Sequence, residues 1–266
     1  MKSSTDEQRG ICPVTSLKRL PLENAYNIRE LGGYPSENNQ VTAFRQFLRG
    51  DDVARLSKAD IKYLINYGVT AVIDLRSSYE IEYAPNPLAQ VDDINYLDVS
   101  LLPVDTDAFS TVDNLTEVLA AYGEEILAKL YVDILTDEQE NLRRIFEFIA
   151  KQDGCVLFHC AAGKDRTGVI AMLLLGLASV SRADIIANYM VTEIYNTENP
   201  YERVVNLPIE LPESLLASNP KSIAAAYDFV MSTYGSFIDY LRAIKVPEAT
   251  IETVKNKLIS NKDNLL

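Results

Sequence analysis

Apolar and polar positions along the chain switch repeatedly between strand-like and helix-like spacing. Ser57 stands as an N-cap before a helical pattern that runs to Leu64 and closes near Gly68. Residues 70–75 form a short β-branched run that reads as a buried strand, with Asp74, Leu75 and Arg76 at its end. Residues 94–102 read as another strand. Helical apolar spacing follows over residues 115–135 and 138–151. Cys155, Val156, Leu157 and Phe158 are a continuous apolar run, as in a strand covered on both faces, and an apolar helix over residues 169–177 opens at Thr167 and Gly168. Further helices are predicted near residues 182–195, 223–234 and 247–260. Residues 33–49 read as a hairpin with Glu37, Asn38, Asn39 and Gln40 at its turn. Residues 103–113 are polar, open with proline and read as a loop; residues 198–220, with four prolines, read as a linker, a lid or an ordered surface loop. This alternation predicts the α/β class: a central, mostly parallel sheet flanked by helices on both faces.

The chemistry concentrates in residues 159–168, His-Cys-Ala-Ala-Gly-Lys-Asp-Arg-Thr-Gly. The pattern places them between a strand's C-terminal end and a helix N-terminus, where unpaired N–H groups and the positive dipole end favour an anion. A thiol attacks only as thiolate, a form that a helix N-terminus and cationic neighbours stabilise, and Cys160 is expected to have both. Arg166 can clamp two oxygens of a phosphoryl group through its planar fork. Gly163 lets the backbone curl, so that the N–H groups of Ala161, Ala162, Gly163, Lys164 and Gly168 are candidates to bind the other oxygens. Thr167 is expected to hydrogen-bond to Cys160, steadying the thiolate and easing its departure from a phospho-cysteine. Together these parts describe phosphomonoester hydrolysis through a covalent intermediate.

His-Cys-x-x-Gly-x-x-Arg-Thr resembles the signature of the protein tyrosine phosphatase superfamily. The Lys164-Asp165 pair narrows the resemblance to the atypical bacterial tyrosine phosphatases that also hydrolyse phosphoinositides. Asn27-Ile28-Arg29-Glu30-Leu31-Gly32-Gly33-Tyr34 is similar to that family's N-x-R-D/E-L-G-G segment, and Phe47-Leu48-Arg49-Gly50-Asp51 and Val72-Ile73-Asp74-Leu75-Arg76-Ser77 to two of its strand ends. Tyr234-Gly235-Ser236-Phe237-Ile238-Asp239-Tyr240-Leu241 extends the likeness, which covers residues 25–245. It implies a tyrosine-phosphatase-like fold: an N-terminal extension over residues 1–24, then one phosphatase domain over residues 25–266 with a C-terminal helical part. It also implies a cysteine phosphatase acting on phosphotyrosine, with phosphoserine/threonine and phosphoinositides as further substrates and with neither metal nor cofactor. The alternatives are an inositol phosphate or phosphoinositide phosphatase, and an inactive phosphate-binding module. An inactive module usually lacks the nucleophile or the arginine, and this chain keeps both.

The leaving oxygen needs a proton, usually from a carboxyl group. Asp165, inside the loop, is the first candidate, and the resemblance supports it. Asp74 is second, at a strand end facing the same crevice, with Arg76 on the same face; an ion pair tying loop to sheet is its other reading. Asp98, Asp105 and Asp107 come third. Lys164 is either a second phosphate ligand or a solvated cation. His159 is expected to hold the loop backbone by hydrogen bonds. Cys155 is read as a buried strand cysteine, with a protective disulfide to Cys160 as the alternative, and Arg29, Arg49 and Arg76 either line the site or are satisfied structural arginines.

Composition narrows the alternatives. The chain lacks Trp, so no Trp-Pro-Asp acid loop exists, and no Gln follows Gln152, so the water-positioning glutamine loop is missing too. His159 is the only histidine, which removes histidine phosphatases, His-based triads and most zinc sites. A Walker loop fails because Asp165 follows Gly163-Lys164 and Phe158 stands where its first glycine belongs. The net charge of −13 argues against nucleic acid and against unaided binding to anionic membrane. Salt screens distant acids beyond about 8 Å, whereas Lys164 and Arg166 act at contact distance. No apolar run reaches membrane-spanning length, and the first residues carry no apolar signal segment, so a cytoplasmic protein is expected, or a secreted one if a leader was removed. Cys12, Cys155 and Cys160 form no disulfide framework, and without coiled-coil heptads a monomer is expected.

Overall fold

The computed structural model describes residues 18–102, 125–197, 199 and 217–260. Its strands are β1 (Arg29–Glu30), β2 (Val41–Thr42), β3 (Phe47–Gly50), β4 (Val69–Asp74), β5 (Asn95–Asp98), β6 (Cys155–His159) and β7 (Ile259–Ser260). Its helices are α1 (Lys58–Tyr67), α2 (Ser78–Tyr83), α3 (Ile126–Asp137), α4 (Gln139–Ala150), α5 (Asp165–Leu177), α6 (Arg182–Asn196), α7 (Pro220–Tyr234), α8 (Phe237–Ala243) and α9 (Glu248–Leu258).

A five-stranded sheet runs β1-β3-β6-β4-β5, parallel throughout except for β1, which is antiparallel to β3. This is the mostly parallel sheet that the alternating pattern predicts. β6 lies at its centre because all five of its residues are buried and apolar enough to be covered on both faces. Its side chains alternate: Val156 and Phe158 enter one core and Cys155 and Leu157 the other. The next residue in that alternation, Cys160, belongs with Val156 and Phe158. β6 enters between β3 and β4 and runs parallel to both, so the C-terminal ends of the three strands share one edge of the sheet, the place for a ligand crevice.

The two faces are unequal. The larger core packs α3 to α9 against one face. α4 contributes Leu142, Ile145, Phe146 and Ile149, the spacing of one helical stripe, and each such buried side chain is worth about 1.5–3 kcal/mol. α5 is buried nearly all round from Thr167 to Leu177, so it passes through the core. The smaller core lies under α1, through Leu64 and Tyr67. α1 opens with a reciprocal capping box between Ser57 and Asp60 and closes at Gly68 in the left-handed conformation, as its sequence pattern predicts.

Several boundaries differ from the expectation. α5 opens at Asp165, so Arg166 stands in the first helical turn instead of the loop. Residues 33–42 do turn back on themselves, with Gly33 N donating to Thr42 O and Thr42 N to Tyr34 O. The chain then leaves the turn, and residues 47–50 join the central sheet, because β3 pairs with β6 and β2 with β7. The end of the last predicted helix is β7, and α2 and α8 were not anticipated. Leu20 is buried in the smaller core and Glu30 N donates to Lys18 O. The expected loop at 103–113, the start of the helix at 115 and nearly all of the proline-rich segment lie outside the described residues. Among the described residues, no helix is long and apolar enough to cross a membrane.

Candidate active site

The β6–α5 loop is shaped by where its carbonyls go. Ala161 O accepts from Asp52 N at 2.8 Å. Ala162 O accepts from Asn27 Nδ2 at 3.0 Å and from Asn196 Nδ2 at 2.9 Å. Gly163 O accepts from Arg49 Nη2 at 2.6 Å. The N–H and C=O of a trans peptide point in opposite directions. Three carbonyls turned outward therefore aim the N–H groups of Ala162, Gly163 and Lys164 inward, around Cys160. Gly163 holds φ +66, and a Cβ there would come within 2.6 Å of the Gly50 carbonyl, so no other residue fits. No side chain caps α5, which leaves its first N–H groups facing the same crevice.

Cys160 lies buried at the floor. Arg166 reaches across as a fork, donating to Glu80 Oε2 at 2.6 Å and Oε1 at 2.9 Å. Burial alone would favour a neutral Glu80, but the Arg166 fork outweighs it and pulls the carboxyl down to about 2. Glu80 is also the third residue of α2, and its carboxylate accepts from Ser77 N at 2.7 Å. A capping box thus aims the arginine.

Asp165 lies at the mouth. Its Oδ1 accepts from the Tyr131 hydroxyl at 2.5 Å, and the Tyr131 and Tyr189 hydroxyls are 2.7 Å apart. Burial holds the Tyr131 phenol far above its ordinary range, so Tyr131 stays a donor to Asp165 and Tyr189 donates to Tyr131. Among the described residues, Oδ2 of Asp165 has no hydrogen-bond partner.

The model of the tyrosine phosphatase family matches residues 20–260. The chain belongs to the tyrosine phosphatase family. A tyrosine-protein phosphatase of Nostoc commune is 34% identical over 80% of this chain and 74% of its own length. The triple specificity protein phosphatase PtpB of Mycobacterium tuberculosis is 28% identical over 90% of this chain and 98% of its own. A solved structure of P. aeruginosa TpbA with pTyr aligns over 80% of this chain and 94% of its own at 14% identity and a TM-score of 0.34.

The structure corrects some of the expectations for this phosphatase and agrees with those for His159 and Cys155. Asp74, the second candidate acid, is wholly buried and accepts from Arg76 Nε at 2.9 Å and Nη2 at 2.7 Å, Asn86 Nδ2 at 3.1 Å and the Tyr96 hydroxyl at 3.0 Å. Burial opposes its charge, but the Arg76 fork, followed by His159, holds it ionised well below the usual carboxylate range. It has no proton to donate and ties strand to loop instead. Thr167 Oγ1 is buried without a hydrogen bond to Cys160 or to any other described residue. Lys164 is not solvated; it is buried, with Nζ 3.5 Å from Ala217 O and 3.7 Å from Asp165 Oδ1. Arg29 and Arg49 do not line the crevice but lie behind the loop, both buried. His159 is buried with Nδ1 3.3 Å from Cys160 O and Nε2 2.9 Å from Asn86 Nδ2, so it steadies the loop backbone. Cys155 sits in the opposite core from Cys160, on the other face of β6, which puts a disulfide between them out of reach. Among the described residues, no group of three or more His, Cys, Asp or Glu is arranged to hold a metal.

Sequence reasoning missed Glu80, Tyr131, Asn188, Thr192 and Asn196. The last three are buried at intervals of four on α6, a polar stripe that faces the loop. Such a stripe is visible in sequence once the helix is placed.

Two predictions follow from this geometry. Glu80→Gln removes one charged arm from Arg166 and should lower kcat/KM by about ten- to a hundredfold, the worth of one charge-assisted hydrogen bond, measured by steady-state kinetics. Asp74→Asn should lower stability by about 1.5–3 kcal/mol, because it removes the forked carboxylate of the buried Arg76 and leaves it Asp52 at 3.0 Å, while the alkaline limb of the pH–rate profile stays unchanged. A depressed carboxylate stabilises fully above its unfolded value and loses that contribution as pH falls towards its folded one. The stability gap between the two proteins should therefore hold from pH 8 down and shrink only below about pH 4 in denaturant titrations.

Proposed function

We propose that this phosphatase hydrolyses phosphotyrosine through a phospho-cysteine formed on Cys160. The supporting observation is the ring of inward N–H groups around a buried thiol, with Arg166 held as a fork beside it. The Cys160 thiolate attacks phosphorus as the bond to the tyrosyl oxygen breaks. Arg166 and the N–H groups of Ala162, Gly163 and Lys164 stabilise the equatorial oxygens, where charge is concentrated. Asp165 gives the leaving oxygen a proton. Tyr131 donates to Oδ1, so that proton resides on Oδ2, which has no other described partner. A water then attacks the phospho-cysteine, passes its proton to Asp165, and releases phosphate and the thiolate. Thr167 Oγ1, buried and lacking an acceptor, is available to the sulfur as charge returns to it.

A wider substrate range, taking in phosphoserine/threonine and phosphoinositides, is supported by the name of the Mycobacterium tuberculosis relative and by Lys164 beside the loop. A thiolate nucleophile suits a reducing compartment, which favours the cytoplasm.

The deciding experiment compares turnover of a phosphotyrosine peptide, a phosphothreonine peptide and a phosphoinositide headgroup, with Cys160→Ser as the blank. Cys160→Ser should lose turnover entirely and keep vanadate binding; residual turnover would refute the covalent route. Asp165→Asn should flatten the alkaline limb of the pH–rate profile and cost about 10²–10⁴-fold in rate. An unchanged limb moves the proton donor to Asp98 or to an acid outside the described residues, such as Asp105 or Asp107.

A further inference from the structure

Arg49, in β3, is wholly buried behind the loop. Its Nη2 donates to Gly163 O at 2.6 Å and its Nη1 to Asn188 Oδ1 at 2.5 Å. Its Nε has no partner. Both acceptors are neutral, and among the described residues no carboxylate pairs with this guanidinium. Burial pulls Arg49 down only to about 10, so it is charged at neutral pH. A fully buried cation without a counter-charge is costly, and proteins seldom keep one. The groups whose charges reach it are the Tyr34, Tyr131 and Tyr189 phenols, the Cys160 thiol and the second buried cation, Arg29. Of these, Cys160 is the one that the chemistry requires as an anion.

Arg166 does not fill this role in the unliganded protein, because Glu80 already neutralises it. The other charged groups around the crevice are Lys164 and Asp165, which face each other at 3.7 Å, Arg76, which is paired with Asp74 at 2.7 Å and with Asp52 at 3.0 Å, and Asp51, which accepts from Tyr26 N and Asn27 N. Among the described residues, two buried cations therefore lack a paired carboxylate, Arg29 and Arg49, and Arg49 is the one whose guanidinium binds the loop itself, through Gly163 O. We propose that Arg49 is a positioning residue whose uncompensated charge, held against the underside of the loop through Gly163 O, keeps Cys160 as a thiolate and finds its counter-charge in the bound phosphoryl group. The inference rests on the cysteine reading of the site. Asn188 is its second anchor: it binds Arg49 through Oδ1, while its Nδ2 donates to the Tyr34 hydroxyl at 2.9 Å.

The test uses the full chain without substrate. The rate of iodoacetamide alkylation is measured against pH, with Cys160→Ser subtracting Cys12 and Cys155, together with the thermal shift produced by inorganic phosphate. Arg49→Met should move the alkylation midpoint up by about one pH unit and at least halve the phosphate-induced shift. Asn188→Asp keeps Arg49 and gives it a buried carboxylate. It should raise the midpoint by a similar amount without lowering the melting temperature, an outcome that a merely structural arginine would not produce. A midpoint that stays put in either folded variant overturns the proposal, and Asn188→Asp decides alone if Arg49→Met does not fold. Because alkylation needs no turnover, this result is independent of whether Cys160→Ser abolishes hydrolysis.

Discussion

Every N–H that points at a substrate has a carbonyl that points into the protein, and a buried carbonyl must find a donor. The rest of this structure is arranged around that constraint. The donors to the loop come from four separated places: Asn27 before β1, Arg49 in β3, the Asp52 backbone after it, and Asn196 at the end of α6. Asn27 is itself held, since its backbone N–H donates to Asp51 at 2.9 Å. The cradle is therefore preorganised by side chains that never touch a phosphate. Catalytic stabilisation of this kind costs no reorganisation at the moment of reaction.

The same arrangement reconciles an acidic chain with an anionic substrate. The net charge of −13 is a property of the whole chain, and its distant acids are screened. Three arginines lie around the loop, Arg29 and Arg49 fully buried and Arg166 mostly buried, and they act with little screening. Arg166 has a carboxylate fork in Glu80, whereas Arg29, bound by Asn27, Asn188 O and Thr192, and Arg49, bound by Asn188 Oδ1 and Gly163 O, have neutral acceptors among the described residues. Only an arginine whose partner can be exchanged for a phosphoryl oxygen serves as a clamp, and Arg166, partly reachable from the crevice, is placed for that.

Legibility in the sequence tracked how local each signal is. The run from Cys155 to Phe158, the glycine-bearing loop and the apolar helix after it are contiguous, so strand, loop and helix could be placed from spacing alone. The capping box of α1 was equally local, Ser57 and Asp60 being three apart. Glu80 was missed because Ser77 and Glu80 spell a helix start and nothing more; its second partner, Arg166, lies 86 positions on. Tyr131 has the spacing of a core aromatic, and its hydroxyl finds Asp165 only once α3 and α5 pack together. β1, β2 and β7 are two residues each, too short for any period to show.

The carboxylates near the strand ends show how the surroundings assign roles that the residue type leaves open. Asp74 and Asp165 look interchangeable in sequence: each lies at or just beyond a strand end and each has a basic residue within two positions. Asp74 receives four side-chain donors from Arg76, Asn86 and Tyr96, with His159 near by, so both oxygens are committed to the charged form. Asp165 receives one hydroxyl on Oδ1 and stays partly open to the crevice, so its second oxygen can exchange a proton with whatever binds there. Asp51 is a third case: burial outweighs two backbone donors and lifts it to about 6, yet both oxygens are spent on Tyr26 and Asn27. A carboxyl with a raised proton affinity but no access, and one with full charge but no freedom, are both excluded as donors. Of these three carboxylates, only Asp165 has both access and an oxygen without a described partner, which is why the proposed proton donor is placed there, and neither property is written in the chain until α3 closes over α5.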